Sequence, residues 1–233
     1  MTRVDKVIVT QHILEVRHAA VGSFLDVRGF VADYVKHAGF LPHWKIDNNV
    51  VSFLDKPQKP FSETAFAGYK SFGYTSNNPP TKNFFPDRAG SFVKLILKNQ
   101  DYSIPELTRF GSRTKAFLPC DLDFASLNRK INTTLFSSNF QQKITNKSSD
   151  VLIVTEFDHG IFNARISIGP MHKGEVAAQF DFESEHFSGV GLFLDIDYFF
   201  SKEIVASRLQ SYLKESMVNI WNKIDTISDM LGV

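Results

Sequence analysis

Two spacings of apolar residues alternate along the chain. In some stretches every second position is apolar, as on a strand with one buried face; in others every third or fourth is, as on a helix. The clearest helical stretch closes the chain. Val205, Leu209, Tyr212, Leu213, Ile220, Ile224, Ile227 and Leu231 recur with a period near 3.6. Ser201 stands where an N-cap hydroxyl is wanted, Glu203 where the helix dipole favours an anion, and Gly232 where a helix stops. A helix from Ser201 to Gly232 would be roughly 45 Å long. With one apolar stripe it needs an extended surface to lie on. Strand-like runs at Val151–Phe157, Ile161–Ile168, Val176–Glu185 and Val190–Phe199 supply one, with turns at His159-Gly160 and Ser188-Gly189.

Earlier in the chain, Val7 to Val16 is rich in β-branched residues and predicts a first strand. Ser23 to His37 predicts a helix, with Phe24, Val27, Phe30 or Val31, Tyr34 and Val35 inward and Gly39 as its stop. Trp44 to Phe53 predicts a hairpin around Asn48-Asn49. A strand is expected over Ala65–Tyr74, then a loop from Asn77 to Gly90. Phe92–Leu97 and Thr108–Leu118 predict strands. Pro119 breaks the second, and Asp121 or Asp123 caps a helix carrying Phe124, Leu127, Ile131 and Leu135. Ser137–Ser149 is polar and without period, which predicts a connector.

The order of elements repeats. Strand 92–98, turn, strand 108–118 and helix 123–136 match strand 176–185, turn, strand 190–199 and the terminal helix, with Gly111 and Gly191 at equivalent places. The expectation is one α+β domain over 1–233, with similar halves at 1–136 and 150–233. Curved antiparallel sheets from the two halves would each pack on a helix.

Composition narrows the function classes. Among 233 residues 23 are Phe, so the core is built from large rings. A net charge of +1 gives no bulk attraction to nucleic acid or to a membrane surface. The single cysteine, Cys120, excludes a disulfide framework and a cysteine-ligated zinc site. Met1 to Lys6 has no apolar core of a signal peptide, and the most apolar run, Gly191–Phe200, is broken by Asp195 and Asp197 and too short to span a bilayer. A cytoplasmic protein is expected.

Three short motifs carry a resemblance: Ile13-Leu14-Glu15-Val16 in the first strand, Thr108-Arg109-Phe110-Gly111-Ser112-Arg113, and Leu194-Asp195-Ile196-Asp197 before the terminal helix. Together they resemble a family of sporadically distributed prokaryotic proteins of similar length. That family opens on an Ile-x-Glu-Val strand, has a central Arg-x-Gly-x-Arg strand, and ends in an acidic strand and a long helix. The Pro usual before the first motif and the aromatic-Asn pair usual after the second are missing here. The family has no assigned activity, so the resemblance implies a fold and a prokaryotic origin and carries over no catalytic residue.

Charge concentrates in two places. Lys94 and Lys98 alternate on one predicted strand, and Arg109, Arg113 and Lys115 on the next. Asp181, Glu183 and Glu185 alternate on another, followed by Asp195 and Asp197. These read as a basic and an acidic partner face. In a homo-oligomer one could meet the other; inside one copy they could hold the halves together. Asp195, Asp197 and Glu183 are also the carboxylates a divalent metal would need. The histidines make no H-E-x-x-H spacing. Asp158-His159 falls in a predicted turn, Cys120 has no basic neighbour in sequence, and no phosphate-binding or nucleophile motif occurs, so nothing calls for a cofactor. The first expectation is a non-enzymatic interaction module binding a protein partner or itself. The alternative is a helix-grip protein holding a small apolar ligand between sheet and terminal helix. A metal-dependent enzyme ranks third.

Overall fold

A computed structural model describes residues 7–144 and 148–233. The Met1–Lys6 stretch examined for a leader and residues 145–147 of the polar connector lie outside the described residues. The elements run β1 (Val9–His18), α1 (Phe24–His37), β2 (His43–Ile46), β3 (Val50–Leu54), β4 (Glu63–Gly68), β5 (Ser71–Asn77), α2 (Phe84–Lys98), β6 (Leu107–Pro119), α3 (Phe124–Leu135), α4 (Ser138–Lys143), β7 (Ile153–His159), β8 (Phe162–Met171), α5 (Lys173–Gln179), β9 (Gly191–Phe200) and α6 (Leu209–Leu231). The fold is α+β. Its strands form one nine-stranded antiparallel sheet in the order β2-β3-β4-β5-β1-β6-β9-β8-β7. One continuous sheet thus replaces the two that were expected.

The order has a centre. β1 and β6 pair over their full length, and from them the sheet steps outward through β5, β4, β3 and β2 on one side and β9, β8 and β7 on the other. Each side opens on its central strand, crosses to the edge through a helix, returns as a meander and ends in a helix, α2 or α6. The repeated unit therefore joins between α2 and β6. The sequence pattern placed the joint later because two of the strands it matched are not strands.

The first is 92–98, which belongs to α2. Phe85, Ala89, Phe92, Val93 and Ile96 are buried at helical spacing. Two residues hide this pattern. Pro86 sits in the first turn, where a missing N–H costs nothing. Gly90 lets Gln210 of α6 come within 3.1 Å of the place a Cβ would occupy. The second is 176–185. A capping box between His172 and Glu175 starts the short helix α5 there, and a 3₁₀ turn over Glu185–Ser188 follows. The expected strand 65–74 is the hairpin β4–β5, turned at Tyr69-Lys70. The terminal helix starts at Leu209 after a 3₁₀ turn over Ala206–Arg208, so Ser201 does not cap it. Its 23 residues span about 35 Å. Gly232, at φ 56°, ends it as expected.

Alternation assigns the two faces of the sheet. Leu14 and Val16 of β1, Phe110 of β6 and Tyr198 and Phe200 of β9 join the main core with α1, α2, α3 and α6. Leu209, Leu213, Ile220, Ile224 and Leu231 of α6 are buried in it. Phe110, Phe200 and Tyr212 interlock directly beneath α6, with centroids 4.9–6.0 Å apart. These rings pack between the sheet and the first turn of α6. No helix among the described residues is long and apolar enough to cross a membrane.

Candidate functional site

Among the described residues, no layer of long helices covers the other face of the sheet. Gln11, Ile13, Glu15 and Arg17 of β1 point there, in register with Lys115, Arg113, Gly111 and Arg109 of β6. Next come Asp195, Asp197 and Phe199 of β9, then Ser167, Arg165 and Asn163 of β8. One end of this face is covered. Val176 of α5 with Phe180, Phe182 and Phe187 packs on Val9, Phe117 and Phe193 in a second, smaller core. Gly191 lets the Phe117 ring lie flat across its neighbour strand, since a Cβ there would come within 2.5 Å of the ring. Gln11 donates to Asp181 and, at 3.0 Å, to Asn77, and Lys115 donates to the Gln179 carbonyl, so polar contacts fasten the edge of the cover.

Beyond the cover lies a ladder of charge. Arg17 donates to both oxygens of Glu15, at 3.0 and 3.1 Å. Arg109 lies across Gly111, its Nη1 2.7 Å from where a Cβ would be, and stacks its guanidinium over Phe199 at 5.0 Å. It reaches Glu15 at 3.7 Å and donates to Asp197 Oδ2 at 3.2 Å. Arg113 grips Asp195 with its fork, Nε at 2.7 Å and Nη2 at 2.5 Å. Arg165 reaches Glu156 on β7 at 3.5 Å. Between these pairs opens a pocket of about 260 Å³ lined by Arg113, Arg165, Ser167, Asp195 and Asp197.

Burial raises the Asp197 carboxyl above its ordinary range, against the pull of Arg109 and Arg113. The hydrogen bond to Asp195 raises Arg113. Burial, helped by the neighbouring Arg113, lowers Lys115. Protonation of Asp197 thus comes more easily than for a solvated aspartate, while Arg113 stays charged.

The sequence-derived candidates divide cleanly. Arg109, Arg113, Lys115, Asp195 and Asp197 share this face, with Asp181 at its covered edge. The basic and acidic strands are neighbours in one sheet, so their charges meet within one chain. Lys94 and Lys98 lie elsewhere, exposed on α2, and are corrected to helix-surface residues. Glu183 lies on the loop after α5, beside a separate cleft with Phe182, Ser62 and Glu63. Among the described residues no three His, Cys, Asp or Glu side chains converge to hold a metal ion. Sequence reasoning missed Glu15, Arg17, Arg165 and Ser167. The signal was present: Glu15 and Arg17 alternate with Leu14 and Val16 on β1, and Asn163, Arg165 and Ser167 alternate with apolar residues on β8.

A second concavity, about 400 Å³, lies between α2 and α6 and includes Pro86, Met217, Val218 and Trp221. Lys82–Asp225 and Lys214–Asp87 pairs, both at 3.3 Å, span it, and Lys82 sits 4.6 Å over the Trp221 ring. No protein-family model and no curated protein matches this chain.

Proposed function

We propose that this protein is a non-enzymatic interaction module and that the uncovered part of the charged sheet face is its recognition surface. The observation that carries this reading is the ladder itself. A sheet with helices on one side leaves its other face to water or to a partner, and here that face holds fixed, alternating charge around a pocket. Such a surface gives register and partner choice more than raw affinity. A second copy could meet this face across a two-fold axis, arginines facing carboxylates, by exchanging in-chain pairs as weak and exposed as Arg165–Glu156 for pairs between copies. Self-association is the form of the reading we favour.

Sedimentation velocity across protein concentration and salt tests it. The expectation is a concentration-dependent dimer that weakens as salt rises, because exposed charges are screened over about 8 Å at physiological ionic strength. A monomer at every concentration in low salt sinks the self-association. A small apolar ligand is the second reading, favoured by Met217, Val218 and Trp221 in the α2–α6 groove. Quenching or shift of Trp221 fluorescence by an apolar probe would separate the two.

A further inference from the structure

We infer that the pocket between β6, β9 and β8 binds an α-amino-acid unit: a free carboxylate with an N–H donor one carbon away. This rests on reading the open sheet face as a binding surface.

The lining is Arg113, Arg165, Ser167, Asp195 and Asp197, two charges of each sign and a hydroxyl. Arg113 and Asp195 satisfy one another through both arms of the fork. That leaves Arg165 and Asp197, which stand directly opposite on neighbouring strands. Arg165 has a single ion-pair partner among the described residues, Glu156 at 3.5 Å, with both side chains largely in water. Such a pair is weak, and the planar guanidinium fork keeps its geometry for a carboxylate. Asp197 takes one hydrogen bond, from Arg109 to Oδ2, and Arg109 divides itself between Asp197 and Glu15. Oδ1 of Asp197 has no hydrogen-bond partner among the described residues. The side chain is 24% exposed, so Oδ1 is open to an added donor.

Charge then selects the ligand. A phosphate would carry about two negative charges against two carboxylates with one arginine free. A divalent cation would face two guanidinium groups. A molecule with both signs at separate ends sets its carboxylate on Arg165 and its N–H on Asp197, and Ser167 can hydrogen-bond either. A volume of about 260 Å³ admits a single residue rather than a folded element. A free amino acid and the C-terminal residue of a partner chain share this chemistry.

The test titrates the whole protein with free L-amino acids, N-acetyl amino acids and amino-acid amides, followed by calorimetry and backbone amide NMR shifts. Compounds with a free carboxylate are expected to bind and to shift residues 165–167 and 195–197. Amides should bind at least tenfold more weakly. Arg165→Gln should weaken binding about tenfold or more, as loss of a charged hydrogen-bond donor implies. Asp197→Asn should weaken free amino acids more than N-acetyl compounds, which lack the ammonium. Lys36→Gln, on α1, should leave binding unchanged. If free amino acids bind more tightly than N-acetyl forms the ligand is a metabolite; if N-acetyl forms bind as tightly it is a chain end. No binding of either, amides binding equally, or full binding by Arg165→Gln overturns the inference. Sedimentation of the unliganded protein reads the interaction module independently, so failure of the pocket is distinguishable from failure of the face.

Discussion

At the scale of single residues, two buried histidines and one ion pair make the sharpest predictions. His12 on β1 lies fully inside the core, against Phe85 and Trp221, with Nδ1 2.8 Å from the Thr114 hydroxyl. Burial lowers its pKa from 6.5 to about 3, so the folded chain holds it neutral. Between those values the unfolded chain binds a proton that the folded chain refuses. Stability must therefore fall as pH drops from 6.5 toward 3, by about 1.4 kcal/mol per pH unit from this group. His18 is lowered by burial as well and adds in the same direction. Denaturant melts across pH 3–7 should show the slope, and His12→Gln should reduce it. The ion pair makes a different point. Arg113 and Asp195 touch within one chain, so Arg113→Glu should lower stability, by about 1 kcal/mol for a partly exposed pair. Adding Asp195→Arg should recover part of the loss in thermal melts at any protein concentration. A recovery that depends on concentration would place the contact between copies.

At the scale of elements, α6 clamps the sheet. Ile220 is fully buried on its inner face, so Ile220→Ala should cost on the order of 2–4 kcal/mol through lost burial and the cavity left behind. An unchanged melting temperature would show that the stripe does not carry the packing. Here the sequence was legible, because α6, α3, the β7–β8 hairpin and β9 keep an unbroken period. Asp123 even caps α3 as expected, accepting from the Ser126 N–H at 2.7 Å. Legibility failed where tertiary contact overrides local pattern. Pro86 and Gly90 look like breakers but are tolerated in α2, one by its position in the first turn and one by Gln210 packed against it. Phe180 and Phe182 alternate with carboxylates as a strand would. They instead lie on a loop that drops both rings onto Phe117 and Phe193. The candidate face was half legible for the same reason: its strands keep the alternation, but their order in the sheet does not follow from it.

At the scale of the whole molecule, the two halves share a seam, and the seam decides how the protein unfolds. β1 pairs with β5 of its own half along one edge and with β6 of the other half along the other, over nearly its full length on both. The main core runs without a break from Val51 and Phe53 near one edge strand to Ile166 and Ile168 near the other. α2 of the first half and α6 of the second pack on one another, with Gly90 against Gln210. Opening either half alone would strip β1 or β6 of a full ladder of hydrogen bonds and expose the rings beneath α6. Unsatisfied backbone groups and exposed apolar surface both make such an intermediate costly. One cooperative transition is therefore expected, despite the repeated topology. The two tryptophans provide local probes, Trp44 on β2 in the first half and Trp221 on α6 in the second. Variants retaining one or the other should give urea midpoints that coincide with each other and with far-UV circular dichroism. A Trp44 transition that precedes the Trp221 transition would show that the halves unfold as separate units joined at β1 and β6.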